Sequence, residues 1–345
     1  MLYKMIRPAL FLSDAESAHL LSLAALKMAP LPSTAPVDPI LTQTLAGLIF
    51  ASPVGLAPGY DKNAEVPAPI LRLGFGFTEV GTLTPVPQAG NVRPRLFRLV
   101  EDRAVINRMG FNNDGQAAAA ERLVKLRRQK LSGPVGINIG ANKDSEDRIA
   151  DYVIGVRAME QYADYLTINI SSPNTPGLRA LQDKAALDDL LANVMAARAQ
   201  EKPVFLKVAP DLEPADIDDI SEISIKHQIS ALIVSNTTIT RPELKSRHGG
   251  ETGGLSGEPL RELAQLRLRD FRVSTGGKMP LIGVGGISSA ENAYARIRAG
   301  ASLIQIYSAL VYEGPGLAAK INKGLTALLK RDGFANIASA VGVDD

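Results

Sequence analysis

Residues Ala163–Leu178 read ADYLTINISSPNTPGL, an apolar run of strand length that passes without a break into two serines, two asparagines and two prolines. A strand that is core through its middle and polar at its end is what a barrel strand looks like where it begins to face a ligand. Seven further runs have the same length and character: FASPVGLA from Phe50, GFTEVGT from Gly76, VGINIG from Val135, VFLKVAP from Val204, ALIVSN from Ala231, PLIGVGG from Pro280 and SLIQIYS from Ser302. Helical patterns such as Asp188–Gln200 and Glu291–Gly300 separate most of them, and that alternation gives parallel strands joined by crossover helices. Eight such units predict an α/β chain folded as a (β/α)8 TIM barrel. A doubly wound sheet would call for a GxGxxG turn after the first strand, and none follows it. The connection from Thr82 to Pro134 is too long for a simple crossover. Its alternating stretch Arg95–Val100 predicts a hairpin inserted over the barrel mouth.

Prolines 30, 32, 36 and 39 form a stiff stretch that neither helix nor sheet would contain, which divides the chain into an N-terminal helical segment (1–30), a Pro-rich linker (31–39) and the barrel (40–345). In the first segment, Asp14 and Glu16 interrupt the apolar MLYKMIRPALFL region too early for a signal-peptide core. Ser13 and Glu16 make a capping-box pattern for a helix running through Met28. Two short apolar helices result, which either cover the barrel or lie flat on a membrane as an interfacial anchor. No run is long and apolar enough to span a bilayer.

Composition narrows the chemistry. The 345 residues carry a formal charge of +2, too small to point to a nucleic acid partner. With no cysteine, the chain has neither disulfides nor a thiol nucleophile or base, and its three dispersed histidines make a metal site unexpected. The strand ends are polar: Asp61-Lys62, Thr82, Asn138, Asn169 with Ser171 and Ser172, Lys207, Ser235-Asn236-Thr237, Gly285-Gly286 and Tyr307-Ser308. Glycine-rich turns at Gly253–Gly257 and Gly283–Gly286, with YSAL after the last strand, predict an anion site for a phosphorylated cofactor or substrate. Lys207, inside an otherwise apolar run, needs an anionic or carbonyl partner, and a hydride-accepting ring would suit it.

The motifs GLAPGYDKN, EVGTLTP, NRMGFNN, GINIG, NISSPNTPGLR, LKVAPDL, SNTT, GGLSG, IGVGGI and QIYSAL, in this order and over essentially the whole chain, closely resemble the dihydroorotate dehydrogenase family. The resemblance implies a barrel carrying flavin mononucleotide (FMN) that oxidises dihydroorotate to orotate in pyrimidine synthesis. The absence of cysteine and the N-terminal extension resemble class 2, which is membrane-associated, reduces a quinone and uses serine as base; soluble class 1 members use cysteine. The resemblance implies Ser172 as the base, with Thr175 and Phe111 framing a proton exit. It implies substrate contacts from Lys62, Asn107, Arg108, Met109, Gly110, Phe111, Asn169, Asn174, Asn236 and Thr237. For the flavin it implies Ala57, Pro58, Gly59, Tyr60, Asp61, Lys62, Thr82, Asn138, Asn169, Lys207 and Ser235, with Gly257, Gly286, Tyr307 and Ser308 at the phosphate end. For the quinone it implies His19, Arg98 and Tyr307. Ser235 stands where many relatives have threonine, and Tyr60 where leucine is common. With no transit peptide evident, the expected location is the cytoplasmic face of a bacterial inner membrane, peripherally bound. The tRNA dihydrouridine synthases also combine a barrel with flavin, but that class requires a cysteine acid and a basic surface.

Overall fold

The strands Val135–Ile139, Tyr165–Asn169 and Val204–Val208 are buried along their whole length, the signature of a strand covered on both faces. The computed structural model describes residues 2–29 and 37–344. In chain order the strands are β1 (Gln43–Leu45), β2 (Leu48–Phe50), β3 (Val54–Leu56), β4 (Phe77–Leu83), β5 (Leu96–Leu99), β6 (Ala104–Asn107), β7 (Val135–Ile139), β8 (Tyr165–Asn169), β9 (Val204–Val208), β10 (Ala231–Val234), β11 (Gly254–Gly257), β12 (Leu281–Val284) and β13 (Ala301–Ile306). Eight of them close a parallel barrel in the order β3-β4-β7-β8-β9-β10-β12-β13. These are the eight runs read from the sequence. The helices are α1 (Leu2–Leu12), α2 (Ala15–Met28), α3 (Pro67–Leu71), α4 (Gly115–Arg127), α5 (Arg148–Met159), α6 (Lys184–Ala197), α7 (Pro214–Lys226), α8 (Arg261–Ser274), α9 (Ala290–Arg298), α10 (Ser308–Glu313) and α11 (Leu317–Arg331).

Inside the barrel, side chains alternate in and out with period two. The inward residues change character along each strand, from Phe77 to Glu79, from Tyr165 through Thr167 to Asn169, and from Phe205 to Lys207. The lower layer is therefore aromatic and aliphatic, with Tyr165 stacked on Phe205 at 4.3 Å and Phe50 of β2 set edge-on against Phe77 at 5.2 Å. Two glycines make room for it: a Cβ on Gly55 would lie 2.2 Å from the Phe77 ring, and one on Gly136 2.2 Å from the Tyr165 ring. The upper layer is polar and opens toward the carboxyl ends of the strands.

Several local expectations change. The run from Phe50 is two elements, because Ser52 and Pro53 turn the chain between β2 and β3 and Ser52 Oγ accepts the Val54 N–H at 3.1 Å. The inserted hairpin is present as β5–β6, and β11 joins it as a third antiparallel strand; GGLSG is thus an extended strand against β6, with only its ends in left-handed backbone. Helix α2 is capped by Asp14, whose carboxylate accepts the N–H groups of Glu16 and Ser17 at 2.9 and 3.1 Å, while Ser13 donates back to the Leu10 carbonyl. The linker expected at 31–39 lies outside the described residues except for 37–39, and Pro39 opens a 3-10 turn, Pro39–Leu41.

Helices α1 and α2 lie on the hairpin side of the barrel mouth. Glu16, buried, takes hydrogen bonds from Arg95 Nη2 at 2.7 Å and Arg93 Nη2 at 2.9 Å. Arg95 is itself buried and also donates to the carbonyls of Ala89 and Asn91. Arg98 on β5 donates to the carbonyls of Leu10 and Ser13 and lies over the Phe11 ring. Met5, Leu12, Leu20, Leu21 and Met28 on these helices are exposed large apolar side chains, more than scattered surface residues would supply among the described residues. No helix among the described residues is long and apolar enough to cross a membrane.

Candidate active site

One cavity of about 790 Å³ runs from between α1 and α2 into the polar upper layer of the barrel. Ile6, Leu10 and Leu21 line its outer part, and Lys62, Asn169, Ser172 and Lys207 its inner part. The geometry is built from a buried carboxylate upward. Glu79, fully enclosed on β4, accepts from Asn138 Nδ2 and Gln305 Nε2, both at 2.7 Å, and from the Tyr165 hydroxyl at 3.3 Å. An ionised carboxylate is acceptor-only, so it fixes which way the Asn138 amide points. Asn138 Oδ1 then accepts from Thr82 Oγ1 at 2.5 Å and Asn169 Nδ2 at 3.1 Å. Asn169 Oδ1 in turn accepts from Ser171 Oγ at 3.1 Å, Ser171 Oγ accepts from Asn236 Nδ2 at 3.0 Å, and Asn236 Oδ1 accepts the Thr237 N–H at 2.7 Å. Every donor in this chain faces Glu79. The carboxylate therefore sets the polarity of the strand ends β4, β7, β8 and β10, and each bond polarises the next.

Ser172 follows β8 and is buried. Its Oγ accepts the Asn174 N–H at 3.3 Å, a serine turn that leaves the hydroxyl proton free to face the cavity. Asn174 Nδ2 donates to Asn107 Oδ1 at 3.2 Å, and Asn91 Nδ2 holds the Asn174 carbonyl, so the loop after β8 is tied to the hairpin. Gly110 and Phe111 follow in left-handed backbone at φ 72° and 52°, which turns the Phe111 ring onto the cavity wall. Gln88 Nε2 clamps that turn by donating to both of their carbonyls.

Lys62 ends in the cavity, where burial and the nearby Arg95 charge push its ammonium down to about 8, with Glu16 opposing. Lys207, also buried, is lowered by burial and partly held up by the Glu79 charge. His19 on α2 meets the edge of the Tyr60 ring at 5.3 Å, and Tyr60 meets Tyr307 at 5.8 Å, a row of three rings leading from the helices to the end of β13. Burial, reinforced by Lys62, takes His19 down to about 4, so its imidazole is neutral at pH 7. The Tyr60 hydroxyl pairs with Ser22 Oγ at 2.9 Å, so the tyrosine that stands where leucine is common fastens α2 to the barrel.

Most residues expected at the site line this one cavity. Among the expected substrate residues, Asn107, Met109, Asn236 and Thr237 do; among the cofactor residues, Ala57, Pro58, Gly59 and Thr82 do, as do Ser235, Gly257, Gly286 and Ser308 at its far end, and Arg98 at its helical end. Four do not. The Asp61 carboxylate is turned onto the N–H groups of Glu65 and Val66, each at 2.8 Å, and burial raises it to about 6. The Arg108 guanidinium pairs with Glu251 at 2.8 Å. Asn138 sits one layer below the wall, and Thr175 is buried, its hydroxyl without a partner among the described residues. Sequence reasoning passed over Glu79 and Gln305, although a polar side chain in the middle of a strand buried on both faces is the signal that drew notice at Lys207. It also missed Arg179, which donates to the carbonyls of Ser171 and Thr237 and pairs with Asp211 at 2.9 Å, joining the ends of β8 and β10.

The carboxyl-end cavity of the barrel joins a polar inner part to an apolar outer part under two helices, the layout of a barrel enzyme with its site at the strand ends. A family model described as dihydroorotate dehydrogenase matches residues 40–329, and the chain belongs to that family. Within it the chain groups with class 2. It is 62% identical over 342 residues to the dihydroorotate dehydrogenase (quinone) of Sphingopyxis alaskensis, covering 99% of this chain and 96% of that one. The same identity holds over 344 residues with the protein of that name from Novosphingobium aromaticivorans, covering 99% of each. The ligand-free dihydroorotate dehydrogenase of Eimeria tenella superposes with a TM-score of 0.93 at 39% identity, covering 96% of this chain and 99% of that one.

Proposed function

We propose that the protein oxidises (S)-dihydroorotate to orotate with FMN as hydride acceptor and a membrane quinone as final acceptor, a step of pyrimidine synthesis, and that Ser172 is the base. The observation that carries this reading is the convergence of Ser172, Lys62, Asn107, Asn169, Asn174 and Asn236 on one cavity that continues between α1 and α2. The chain's own donors and acceptors fit the cofactor. Among the described residues, the N–H groups of Gly285 and Gly286 meet no acceptor, Gln305 Oε1 and Thr237 Oγ1 are buried without partners, and the Lys207 ammonium makes no ion pair; a ring bearing both carbonyls and an N–H, with a phosphate, offers acceptors to the donors and a donor to Gln305 Oε1. FMN when bound supplies a hydride acceptor that can pass two electrons onward to a quinone.

The residues perform the remainder. Asparagine amides present both donors and acceptors to the edge of a planar ring of amides, and the polarity imposed by Glu79 fixes which is which. Lys62, lowered to about 8 and so still mostly charged at neutral pH, pairs with a substrate carboxylate that holds it in the charged form. Ser172 Oγ, already accepting the Asn174 N–H, is supported by that donor as it takes a proton from the ring carbon. Buried Thr175, with a free hydroxyl, and Phe111 frame the route by which the proton leaves. At the other end, neutral His19 and the Arg98 guanidinium would meet a neutral quinone, and the exposed apolar side chains of α1 and α2 would rest on the cytoplasmic face of a bacterial inner membrane. Residues 1–30 would then act as membrane and quinone segment to the barrel of 40–345.

The decisive experiment is anaerobic. Dihydroorotate added without quinone bleaches the flavin band, and Ser172→Ala slows that bleaching roughly 10²–10⁴-fold, the range for removal of a general base. A yellow protein that stays oxidised with dihydroorotate would remove the substrate assignment.

A further inference from the structure

Arg296, on α9, is 1% exposed, and its charge makes no ion pair among the described residues. Its four hydrogen bonds all go to neutral oxygens: Nε to Gln265 Oε1 at 2.6 Å, Nη1 to the Val284 carbonyl at 3.2 Å, and Nη2 to the carbonyls of Gly285 at 3.0 Å and Arg261 at 3.3 Å. The site is shaped to admit this side chain, since a Cβ on Gly283 would stand 2.5 Å from Arg296 Cγ. Burial and the neighbouring Arg261 push the guanidinium down to about 10, with the Glu262 charge opposing, so it remains charged at neutral pH. A buried cation with no anion at ion-pair distance is expensive, and the loop it holds points to where a closer anion belongs.

Arg261 Nε holds the Gly286 carbonyl at 3.0 Å, so two guanidinium groups hold the carbonyls of Gly285 and Gly286 on their side and share the Val284 carbonyl with the Ser235 N–H. In a trans peptide the C=O and the following N–H point in opposite directions. The N–H groups of Gly285, Gly286 and Ile287 are therefore turned to the other side, toward the cavity that these residues line, and none has an acceptor among the described residues. Gly285 and Gly286 adopt φ of 105° and 71°, a turn open to glycine, and backbone N–H groups left free at a turn are anion-binding donors.

We propose that Arg296 is a positioning residue for the phosphoryl end of the cofactor: from behind the Gly285–Ile287 turn it fixes the N–H groups toward the phosphoryl oxygens and supplies their counter-charge without touching them. The inference rests on the FMN reading above. Its test compares FMN with riboflavin, the same ring system without the phosphoryl group, by flavin fluorescence on wild type, Arg296→Met and Arg296→Lys, with release from the holoenzyme and rebinding both followed. Arg296→Met should weaken FMN at least tenfold, equivalent to about 1.4 kcal/mol, and leave riboflavin within twofold. Lysine keeps the charge but cannot hold four oxygens at once, so Arg296→Lys should weaken FMN three- to tenfold, again without moving riboflavin. That variant carries the test if the methionine protein does not fold. Equal loss of both flavins would reduce Arg296 to packing, and unchanged FMN binding would overturn the proposal. A wild-type protein that binds neither flavin would instead sink the cofactor reading.

Discussion

Replacing Glu79 with glutamine keeps shape and volume but removes the one group in the barrel that can only accept. Asn138, Gln305 and Tyr165 all donate to it, two of them at 2.7 Å. A glutamine offers one oxygen and one NH2, so Asn138 or Gln305 must turn its amide, or Tyr165 must accept, before every contact in this fully buried place is matched again. Lys207 loses its nearby opposite charge at the same time. Removing one partner from a buried charge arrangement costs about 3–5 kcal/mol, which in a chain of this size lowers Tm by roughly 4–7 °C. The site responds as well. With the Asn138 amide released, Asn169 and Asn236 are free to reverse, and orotate affinity, read from its perturbation of the flavin band, should fall about tenfold, equivalent to about 1.4 kcal/mol. Scanning calorimetry and an orotate titration on the same preparation measure both. A Tm within 2 °C of wild type together with unchanged orotate binding, 2 °C being roughly the effect of a single kcal/mol, would refute the idea that a carboxylate orders the asparagines.

Three further outcomes follow from the charges around the cavity. Orotate binding should weaken as pH rises through about 8, because Lys62 loses its proton there in the free protein while a bound carboxylate favours the charged form; Lys62→Met should flatten that pH dependence, and a profile flat in wild type would contradict it. His19 is depressed to about 4 from an ordinary value near 6.5, so the unfolded chain binds the extra proton first and stability should fall as pH drops from 6.5 toward 4, a loss that His19→Gln should lessen in acid denaturation curves. Glu16→Gln should leave buried Arg95 without its carboxylate and cost about 3–5 kcal/mol at the junction of α2 with β5. Limited proteolysis should then cut within α2 while dihydroorotate still bleaches the flavin and quinone reduction is lost; equal loss of both half-reactions would show that the helices do not serve a separate entrance.

All eight barrel strands were legible because burial on both faces leaves short, uninterrupted apolar runs, and the polar ends of those runs pointed to the cavity. Legibility stopped where distant parts of the chain meet. Nothing local in GGLSG shows that it pairs with Ala104–Asn107, since the partner lies some 150 residues away. Ser13 and Asp14 are both cap-forming residues, and only the extended backbone at Asp14, with ψ of 156°, decides between them. Asp61 looked like a site residue because it stands at a polar strand end within GLAPGYDKN, yet residues of one motif need not face the same way, and its carboxylate is occupied by two backbone N–H groups. Glu79 and Arg296 escaped notice for a shared reason. Neither faces the cavity: each acts on the groups that do.

The aromatic floor of Phe77, Tyr165 and Phe205, sealed beneath by Phe50, makes the reaction chamber a blind vessel. Among the described residues this floor closes the amino-terminal end of the barrel, which leaves the loop side, around Ser172 and Asn174, and the gap between the two leading helices as the approaches to the cavity. Crowding either mouth, by a bulky side chain at the loop or by a tight binder between the helices, therefore has no relief route below, and control of the vessel rests entirely with the two segments that close its top.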